Sequence, residues 1–483
     1  MIRTLLTAGI AMMAVAQSAP IALVAQEVID LPGRDQRLDA EFEEVFRVGV
    51  LDGEDWEMLG VVTHVEFDEN GNLYIVDGSS GGGMSFGGDT RVVVGLSSDE
   101  RVLVFNASGD FLREFGTSGE GPGEFNRPAG FAVLRDGTTV VRDMGHGAYQ
   151  LFDNNGAFLR MVRVAAGGGV RGFSGGLLGD PRGNAVFTVN PGLGSLGSGG
   201  GDAPPPTSRP ITRLGLAGEE VRTDTVVEAW LPPREQAGIK VPGNIDVPGE
   251  ARKALANALS GLSQPSVFEP AVLAGVLPNG GIVYSDSSGY SLKVIPPDEG
   301  EVTRIIRRPI EPEPVTPRIE KQHRERQEAA REAMGGSSVG VILQSRTVTG
   351  GGGVNPGASN QSFALDMPEP TYYPEISVLR DLSTTWDGSI WVRRRGDEPE
   401  SDGPIDVVTS DGRYVGTFPK DVTEIPDAFG PNGLAAFIEL DDFDVARVVV
   451  RRLPVVVRSP AARPKRLRAV PVPGSQGGRG CSS

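Results

Sequence analysis

Cysteine is nearly absent from this chain of 483 residues, which contains only Cys481, close to the C terminus. A disulfide framework within the chain is therefore excluded, and stability must come from packing and strand pairing. Histidine is scarce too, and a histidine-ligated metal site would have to use His64, His146 and His323.

Basic residues are in the minority, because 46 Lys and Arg stand against 63 Asp and Glu and the formal net charge is −17. This charge argues against a nucleic-acid partner, whose affinity depends on basic groups that neutralise phosphates. Long apolar runs are also missing. No segment after the N terminus approaches the ~20 residues that a membrane-spanning helix needs.

The first 25 residues have the pattern of a secretory signal peptide. Arg3 supplies the positive end, Leu5 to Ala16 the apolar stretch, and Ala14-Val15-Ala16 a small-residue cleavage site, with Ala25 as a second candidate. No cysteine lies near either site, which excludes a bacterial lipid anchor. We therefore expect a mature protein that is soluble and either periplasmic or secreted.

Turn residues are abundant, with 67 Gly and 37 Pro, and part of the sequence repeats. The segment from Val102 to Arg113 is similar in sequence to the segment from Tyr149 to Arg160. Four residues recur at one constant spacing: Phe105 as Phe152, Gly109 as Gly156, Phe111 as Phe158 and Arg113 as Arg160. A fixed period of roughly 40–50 residues built from short alternating strands is typical of propeller blades.

Further hairpin turns continue the pattern, at Glu69-Asn70-Gly71, Arg135-Asp136-Gly137, Arg182-Gly183, Asn279-Gly280 and Asp387-Gly388. The last hairpin, Leu434 to Leu440 with Arg447 to Leu453, lacks outer strands, while the alternating segment Phe42 to Val50 lacks a hairpin partner. Pairing the two chain ends would remove an exposed sheet edge. We therefore predict an all-β, six-bladed β-propeller that is closed by an N-terminal strand.

One repeat carries a family resemblance. The stretch from Gly116 to Val133, GTSGEGPGEFNRPAGFAV, continuing to Asp143 and Phe152-Asp153, resembles an NHL repeat of the six-bladed propeller class, of the exported bacterial type. The resemblance implies a propeller fold, and the class includes interaction modules, lyases and hydrolases, some lyases using a His-ligated zinc. The loop from Met144 to Ala148 departs from the polar Asn and Arg that NHL repeats usually carry there.

We divide the chain into a signal peptide (1–25), one propeller (26–458) and a disordered basic tail (459–483), and expect a monomer. Two insertions, 231–264 and 309–374, each contain a predicted helix, Glu250 to Leu262 and Thr316 to Met334. The second helix is polar nearly all round, which indicates either a solvated helix or a partner-binding rod. Residues 350–361 are too rich in glycine and polar side chains to predict order.

The long loops should all emerge at one end of the ring, because consecutive strands of a blade run antiparallel. The insertions follow second or fourth strands and are Gly78 to Glu100, Asn190 to Arg209, Arg394 to Pro404, 231–264 and 309–374. Elaborated loops on a rigid scaffold are where binding usually occurs. The candidate ligand-face residues at this end are His64, Asp77, Asp143, His146 and Asp286.

These candidates allow two interpretations. The aspartates that close second strands, Asp77, Asp143 and Asp286, either accept backbone N–H bonds as Asx turns or form a ring of carboxylates that could hold a divalent cation. The three histidines are either a strand-end residue and two surface residues or ligands of a zinc ion. We assign no catalytic residue, no metal ligand and no cofactor beyond that conceivable channel-mouth cation.

The sequence favours an exported NHL-like propeller that binds a protein, peptide or saccharide through its long-loop face. The alternative is a propeller enzyme, a lyase or hydrolase with a metal at the channel mouth, because fold alone does not fix function.

Export gives the first testable prediction. The mature protein should begin at Gln17 or Gln26 and carry no lipid, since cleavage follows Ala16 or Ala25. N-terminal sequencing and intact mass of the native protein check this. An uncleaved chain recovered from the cytoplasm would contradict it.

Overall fold

The computed structural model describes residues 26–78, 83–85, 91–93, 100–165, 176–190, 206–234, 266–333, 340–344, 360–364 and 369–458. Three predictions fall outside the described residues and are not tested: the signal peptide, the helix from Glu250 to Leu262 and the tail from Ser459.

The described strands form six radial sheets that follow one another along the chain, which confirms the predicted six-bladed propeller. Blade 1 consists of Val61–Phe67, Leu73–Gly78, Arg101–Phe105 and Phe111–Phe115. Blade 2 consists of Pro128–Val133, Thr139–Asp143, Ala148–Phe152 and Phe158–Arg163. Blade 3 consists of Leu177–Gly179, Ala185–Val189, Ser208–Gly215 and Arg222–Trp230.

The second half of the ring is built in the same way. Blade 4 consists of Leu273–Val276, Ile282–Ser285, Ser291–Ile295 and Arg304–Arg307. Blade 5 consists of Leu379–Thr384, Ser389–Arg395, Asp402–Thr409 and Tyr414–Phe418. Blade 6 takes Ala428–Phe429, Leu434–Leu440 and Ala446–Arg452 from the C-terminal end of the chain and Glu43–Val48 from the N-terminal end.

The N-terminal strand closes the ring as predicted. Glu43–Val48 runs antiparallel to Ala446–Arg452, with Phe46 opposite Val450 and Val48 opposite Val448. The short strand Ala428–Phe429 pairs with Leu434–Leu440 and is the first strand of blade 6. The last hairpin, Leu434–Leu440 with Ala446–Arg452, therefore supplies the second and third strands. The N-terminal strand is therefore the outer, fourth strand, and it covers the edge that this blade would otherwise expose.

The segment before the closing strand also pairs with blades, which the sequence analysis did not predict. Glu27–Asp30 adds a fifth strand to blade 4, parallel to Arg304–Arg307. Arg37 then forms a parallel bridge to Thr417 on the outer strand of blade 5. Residues 27–48, named here the N-terminal belt, thus follow the outer edges of blades 4, 5 and 6 in succession.

Apolar side chains lie mainly between blades. In blade 1, Tyr74 and Val76 pack against blade 2, whereas Leu73 and Ile75 pack against blade 6. This alternation follows from the two-residue period of a strand, which sends successive side chains to opposite faces. Each of the six described blade-to-blade interfaces contains one such apolar cluster.

Short turns join first to second strands, as the sequence predicts. In the turns that end at Gly137 and Gly388, the glycine N–H donates to the carbonyl three residues earlier, at 2.9 and 3.0 Å. The glycines have φ of 84° and 88°, a left-handed conformation that other residues adopt with strain. These turns therefore fix the hairpin register at this end of the ring.

The insertions contain additional elements. Gly83–Ser85 pairs with Arg91–Val93, Glu313–Pro314 with Glu375–Ile376, and Gly340–Gln344 with Asn360–Ala364. Asn360 and Gln361 therefore lie in a strand, and the prediction of disorder was wrong for these two residues. The remaining elements among the described residues are a 3-10 turn, Pro431–Gly433, and two helices, Pro317–Ala333 and Val455–Arg458.

The helix Pro317–Ala333 confirms one predicted insertion, with the Thr316 hydroxyl capping the N–H of Ile319 at 3.4 Å. It is mostly exposed, but Ile319 is buried against Val267, Phe268 and Ile376. The helix is therefore docked along a narrow stripe.

The belt generates a prediction about folding. Deletion of residues 26–50 should expose the edges of three blades and produce aggregates, because unpaired strand edges recruit other chains. Deletion of residues 26–30 alone should leave a monomer with a lower melting temperature, since the closing strand remains. Size-exclusion chromatography and thermal melts distinguish the two. A monomeric product of the longer deletion with unchanged melting would refute the role of the belt.

Candidate functional site

The predicted aspartates lie at the ends of second strands, where their carboxylates hold neighbouring backbone. Asp77 accepts the N–H of Gly60 at 2.7 Å and pairs with Arg101 at 2.9 Å. The same Arg101 donates to the carbonyls of Asp55 and Met58. Asp77 therefore anchors the segment that leads into blade 1.

Asp143 makes the corresponding contacts in blade 2. Its carboxylate accepts the N–H of Asn126 at 2.7 Å and that of His146 at 3.0 Å, and it receives Gln150 from the third strand. His146 Nδ1 lies 3.0 Å from Asp143, and its Nε2 is 3.0 Å from the carbonyl of Glu120. Burial lowers the pKa of His146, but the hydrogen bonds with Asp143 and the Glu120 carbonyl and the negative charges of both acids together outweigh burial, so the pKa is raised overall.

Asp286 repeats the arrangement in blade 4. It accepts the N–H of Trp230 at 2.9 Å and pairs with Lys293 of the third strand at 2.6 Å. All three aspartates are at most 4% exposed. Asp143 accepts the N–H of His146 in the following loop, as an Asx turn would, whereas Asp77 and Asp286 accept N–H groups that precede the first strands of their blades. The described residues contain no cluster of three or more His, Cys, Asp or Glu arranged to hold a metal ion.

The other histidines lie apart from each other. His64 is inside the first strand of blade 1, with Nε2 at 3.5 Å from Glu66. His323 was predicted to be a surface residue, which is wrong, because it is 4% exposed and stacks edge-on against Phe268 and Tyr372. Burial lowers the pKa of His323, and Glu400 opposes that effect.

The long loops do emerge together, opposite the short turns. The predicted insertion from Arg394 to Pro404 is shorter than predicted. The strands Ser389–Arg395 and Asp402–Thr409 leave only residues 396–401 as the loop. The bases of the two large insertions join each other over blade 4. Val267 donates its N–H to the carbonyl of Thr371 at 2.8 Å and accepts the N–H of Tyr373 at 2.8 Å.

A cleft of about 1090 Å³ opens at this end between blades 4, 5 and 6. Its walls come from the first strand of blade 5, the loop that leads into blade 6, the second strand of blade 6 and the start of the closing strand. The lining includes Phe42, Leu273, Arg380, Asp381, Arg393, Asp402, Val422, Glu424, Asp427, Phe437, Glu439 and Arg451.

The charged groups of the cleft are held by one another. Arg380 donates to Asp402 at 2.9 Å, and Arg393 pairs with both Asp402 and Glu424. On the opposite wall, Arg451 pairs with Glu439 at 2.7 Å and lies 4.8 Å from the centre of the Phe437 ring. Paired charges of this kind present donors and acceptors in fixed directions.

Asp427 lies where the cleft meets the central channel, since it lines both cavities. Its carboxylate is accessible from the cavity and accepts the N–H of Ile438 at 2.7 Å. The surrounding protein raises the pKa of Asp427 by burial and the nearby Asp381 carboxylate raises it further, against the opposing effects of Ile438 and His64. Such an acid keeps its proton to a higher pH than an ordinary aspartate.

The central channel forms a second, smaller cavity of about 190 Å³. At the short-turn end, the guanidinium of Arg135 lies 4.8 Å from the centre of the Trp386 ring. Arg135 belongs to blade 2 and Trp386 to blade 5, which are opposite each other in a six-bladed ring. The two side chains therefore meet across the channel.

Sequence reasoning missed the cleft, whose residues share no motif. They come from blades 4, 5 and 6 and from the belt, and only ring closure brings them together. The one usable signal was the concentration of arginine in Trp391-Val392-Arg393-Arg394-Arg395.

Comparisons with known proteins agree with this architecture. Residues 88–164 match the model of the DUF5128 family, described as a 6-bladed beta-propeller. No curated protein is significantly similar in sequence.

Solved structures with similar folds include a candidate exported protein from Bacteroides fragilis NCTC 9343, at 10% identity and TM-score 0.43, covering 88% of this chain and 99% of the other. A member of the duf4221 family from Bacteroides vulgatus ATCC 8482 has 11% identity and TM-score 0.42, with 86% and 99% covered. A gluconolactonase from Xanthomonas campestris has 13% identity and TM-score 0.33, with 81% and 85% covered.

The six sheets of the structure and the family match define the class of this chain as a six-bladed β-propeller. They do not show NHL membership, and the likeness concerns the fold. Among the described residues, no helix is long and apolar enough to cross a membrane.

Glu100, at the long-loop end of blade 1, generates a prediction about pH. It is 6% exposed, Oε2 has no hydrogen-bond partner among the described residues, and burial raises its pKa to about 7. A raised carboxyl pKa means that the folded state holds a proton which the unfolded state releases, so stability falls as the pH rises from about 4.5 to about 7.

Glu100→Gln should therefore stabilise the protein at pH 8, by roughly 2–3 kcal/mol, and have little effect at pH 4. Thermal or urea unfolding at both pH values measures this. Glu328→Gln, on an exposed helix position, is the matched control and should change neither value. Equal effects of the Glu100 substitution at both pH values would contradict the prediction.

Proposed function

We propose that this protein is an exported binding module that takes a peptide or saccharide chain into the cleft at its long-loop end. The observation that supports the proposal is the cleft itself, with a volume of about 1090 Å³. Cavities that bind ligands are typically about 300–1,000 Å³ and combine apolar surface with a few fixed polar groups.

The lining suits a polar chain. Phe42 is half-buried and offers apolar surface to a ligand, while Arg380, Asp402 and Arg451 offer donors and acceptors. Because these charges are already paired with one another, a neutral polar ligand can bind without leaving an isolated buried charge. The concave shape favours an extended chain over the flat surface of a folded protein.

Export is part of the same proposal. The signal-like residues 1–25, the single cysteine and the likeness to a candidate exported propeller support it. A periplasmic or secreted location would bring the cleft into contact with saccharides and peptides outside the cytoplasm.

A second candidate function is a hydrolase, which the Asp381 and Asp427 pair favours. Two carboxylates in which a neighbour raises the pKa of one are suited to proton donation. Asp427→Asn separates the two functions. A hydrolase loses product formation with this variant, whereas a binding module forms no product in either form.

The cleft generates a prediction with a matched control. Val422, which lines the cleft, is 39% exposed, and Val456, which does not line it, is 52% exposed. Val422→Trp should fill the cleft and weaken binding at least about tenfold, which corresponds to about 1.4 kcal/mol. Val456→Trp should leave binding unchanged.

The mature protein is first screened against saccharide and peptide arrays, and the best ligand is then titrated by calorimetry into both variants. Equal melting temperatures establish that the fold is kept. A ligand whose affinity is the same for Val422→Trp and the unmodified protein would overturn the proposed location, and an empty screen would overturn the proposed function.

A further inference from the structure

The second residue of each turn between first and second strands lies at the short-turn end of the ring. These six positions hold Glu69, Arg135, Pro181, Pro278, Trp386 and Pro431. Four of them, Arg135, Pro181, Pro278 and Trp386, line the channel cavity. Binding was expected at the opposite, long-loop end, so a cation and an indole in contact at this place require a separate explanation.

Arg135 is half-buried and makes no ion pair with any residue that the structure describes. Its guanidinium contacts the Trp386 ring. Burial lowers the pKa of Arg135, and Glu69 offsets part of that effect. A partly desolvated cation that contacts an aromatic ring but forms no ion pair is stabilised when an anion binds to it.

The chemistry of the guanidinium indicates which anion fits. A guanidinium over an aromatic ring still has N–H donors that the ring does not use. Two parallel N–H donors match the two oxygens of a carboxylate. The remaining wall includes Ser383 and Thr384, and the cavity volume of about 190 Å³ limits the bound part to a small acid or one unit of a longer chain.

We propose that Arg135, supported by Trp386, is a binding site for the carboxylate group of the ligand, so that the channel end of the cleft selects acidic ligands. The inference rests on the proposed function, because the cavity that contains Arg135 shares Asp427 with the cleft. The other charged side chains in the described lining of the channel are the acids Glu66, Asp180 and Asp427, of which Asp180 is already paired with Arg182 and Arg213. Arg135 is therefore the cation of this lining that an acidic group would find there.

Two pairs of small probes test this proposal on the mature full-length protein. Glucuronate is compared with glucose, and N-acetylalanine with N-acetylalanine amide. Each pair differs in the carboxylate, while the first represents a saccharide and the second a peptide C terminus. Calorimetry at low ionic strength should detect the acidic member of at least one pair and not its neutral partner.

Substitutions then assign the site. Arg135→Gln should abolish binding of the acid, and Arg135→Lys should weaken it about tenfold, because lysine keeps the charge but loses the two-pronged geometry. Arg113→Gln is the matched control. Arg113 also lies over an aromatic ring, that of Tyr74 at 5.9 Å, but it does not line the channel cavity, so its substitution should leave acid binding unchanged.

The outcomes separate cleanly. Preference for glucuronate identifies an acidic saccharide, preference for N-acetylalanine a peptide, and either result supports the carboxylate site if it is lost in Arg135→Gln. If that variant does not fold, the Arg135→Lys comparison decides. Absence of any preference for the acids, or a preference that Arg135→Gln retains, overturns the inference. In that case, array binding that Val422→Trp abolishes would still support the proposed function.

Discussion

Closure of the ring is the constraint on which the rest of this structure depends. The apolar faces of each blade are buried only against its two neighbours, so an open ring would leave two faces and one edge exposed. The closing strand ends that exposure, with Phe46 and Val48 opposite buried valines of blade 6. The cleft depends on the same closure, because Phe42 and Arg451 form part of one wall.

Arg308 binds the N-terminal belt at the point where the belt passes from blade 4 to blade 5. Its fully buried side chain pairs with Asp406 at 2.7 Å and Asp35 at 2.6 Å, and donates to the carbonyl of Pro32 at 2.9 Å. Burial alone would lower the pKa of Arg308, but Asp406 and Asp35 outweigh burial and raise it. Because a buried charge without its partner is costly, this cluster fixes the path of the belt more than it adds net stability.

The sequence predicted those features that depend on local chemistry. Turn residues such as Gly137 and the alternation of apolar residues located the blades, and the unpaired segment at Phe42 to Val50 revealed the closure. The start of the helix Pro317–Ala333 could be predicted for the same reason, because Thr316 is a local N-cap signal. Glu27–Asp30 was missed because a strand that pairs in parallel with a distant blade needs no turn and leaves no local pattern.

The candidate site was less predictable because its chemistry arises from contacts over long sequence separations. Asp77 and Asp143 were recognised as repeated residues. The expected bond to the following loop is present at Asp143, whereas Asp77 accepts the N–H of Gly60, which precedes its blade. Arg135 and Trp386 occupy equivalent turn positions in blades 2 and 5, yet nothing in either turn shows that the two side chains meet. His323 appeared exposed because its contacts, Phe268 and Tyr372, lie far from it in the sequence.

The path of the belt also sets an order for folding. Its residues are made first, yet their partners in blades 4, 5 and 6 are made last, and a contact such as that between Glu27 and Arg304 spans 277 positions. Contacts between such distant residues form late because closing the intervening loop costs entropy. The nascent N terminus consequently remains unpaired until the C-terminal blades exist, and the ring cannot close before then.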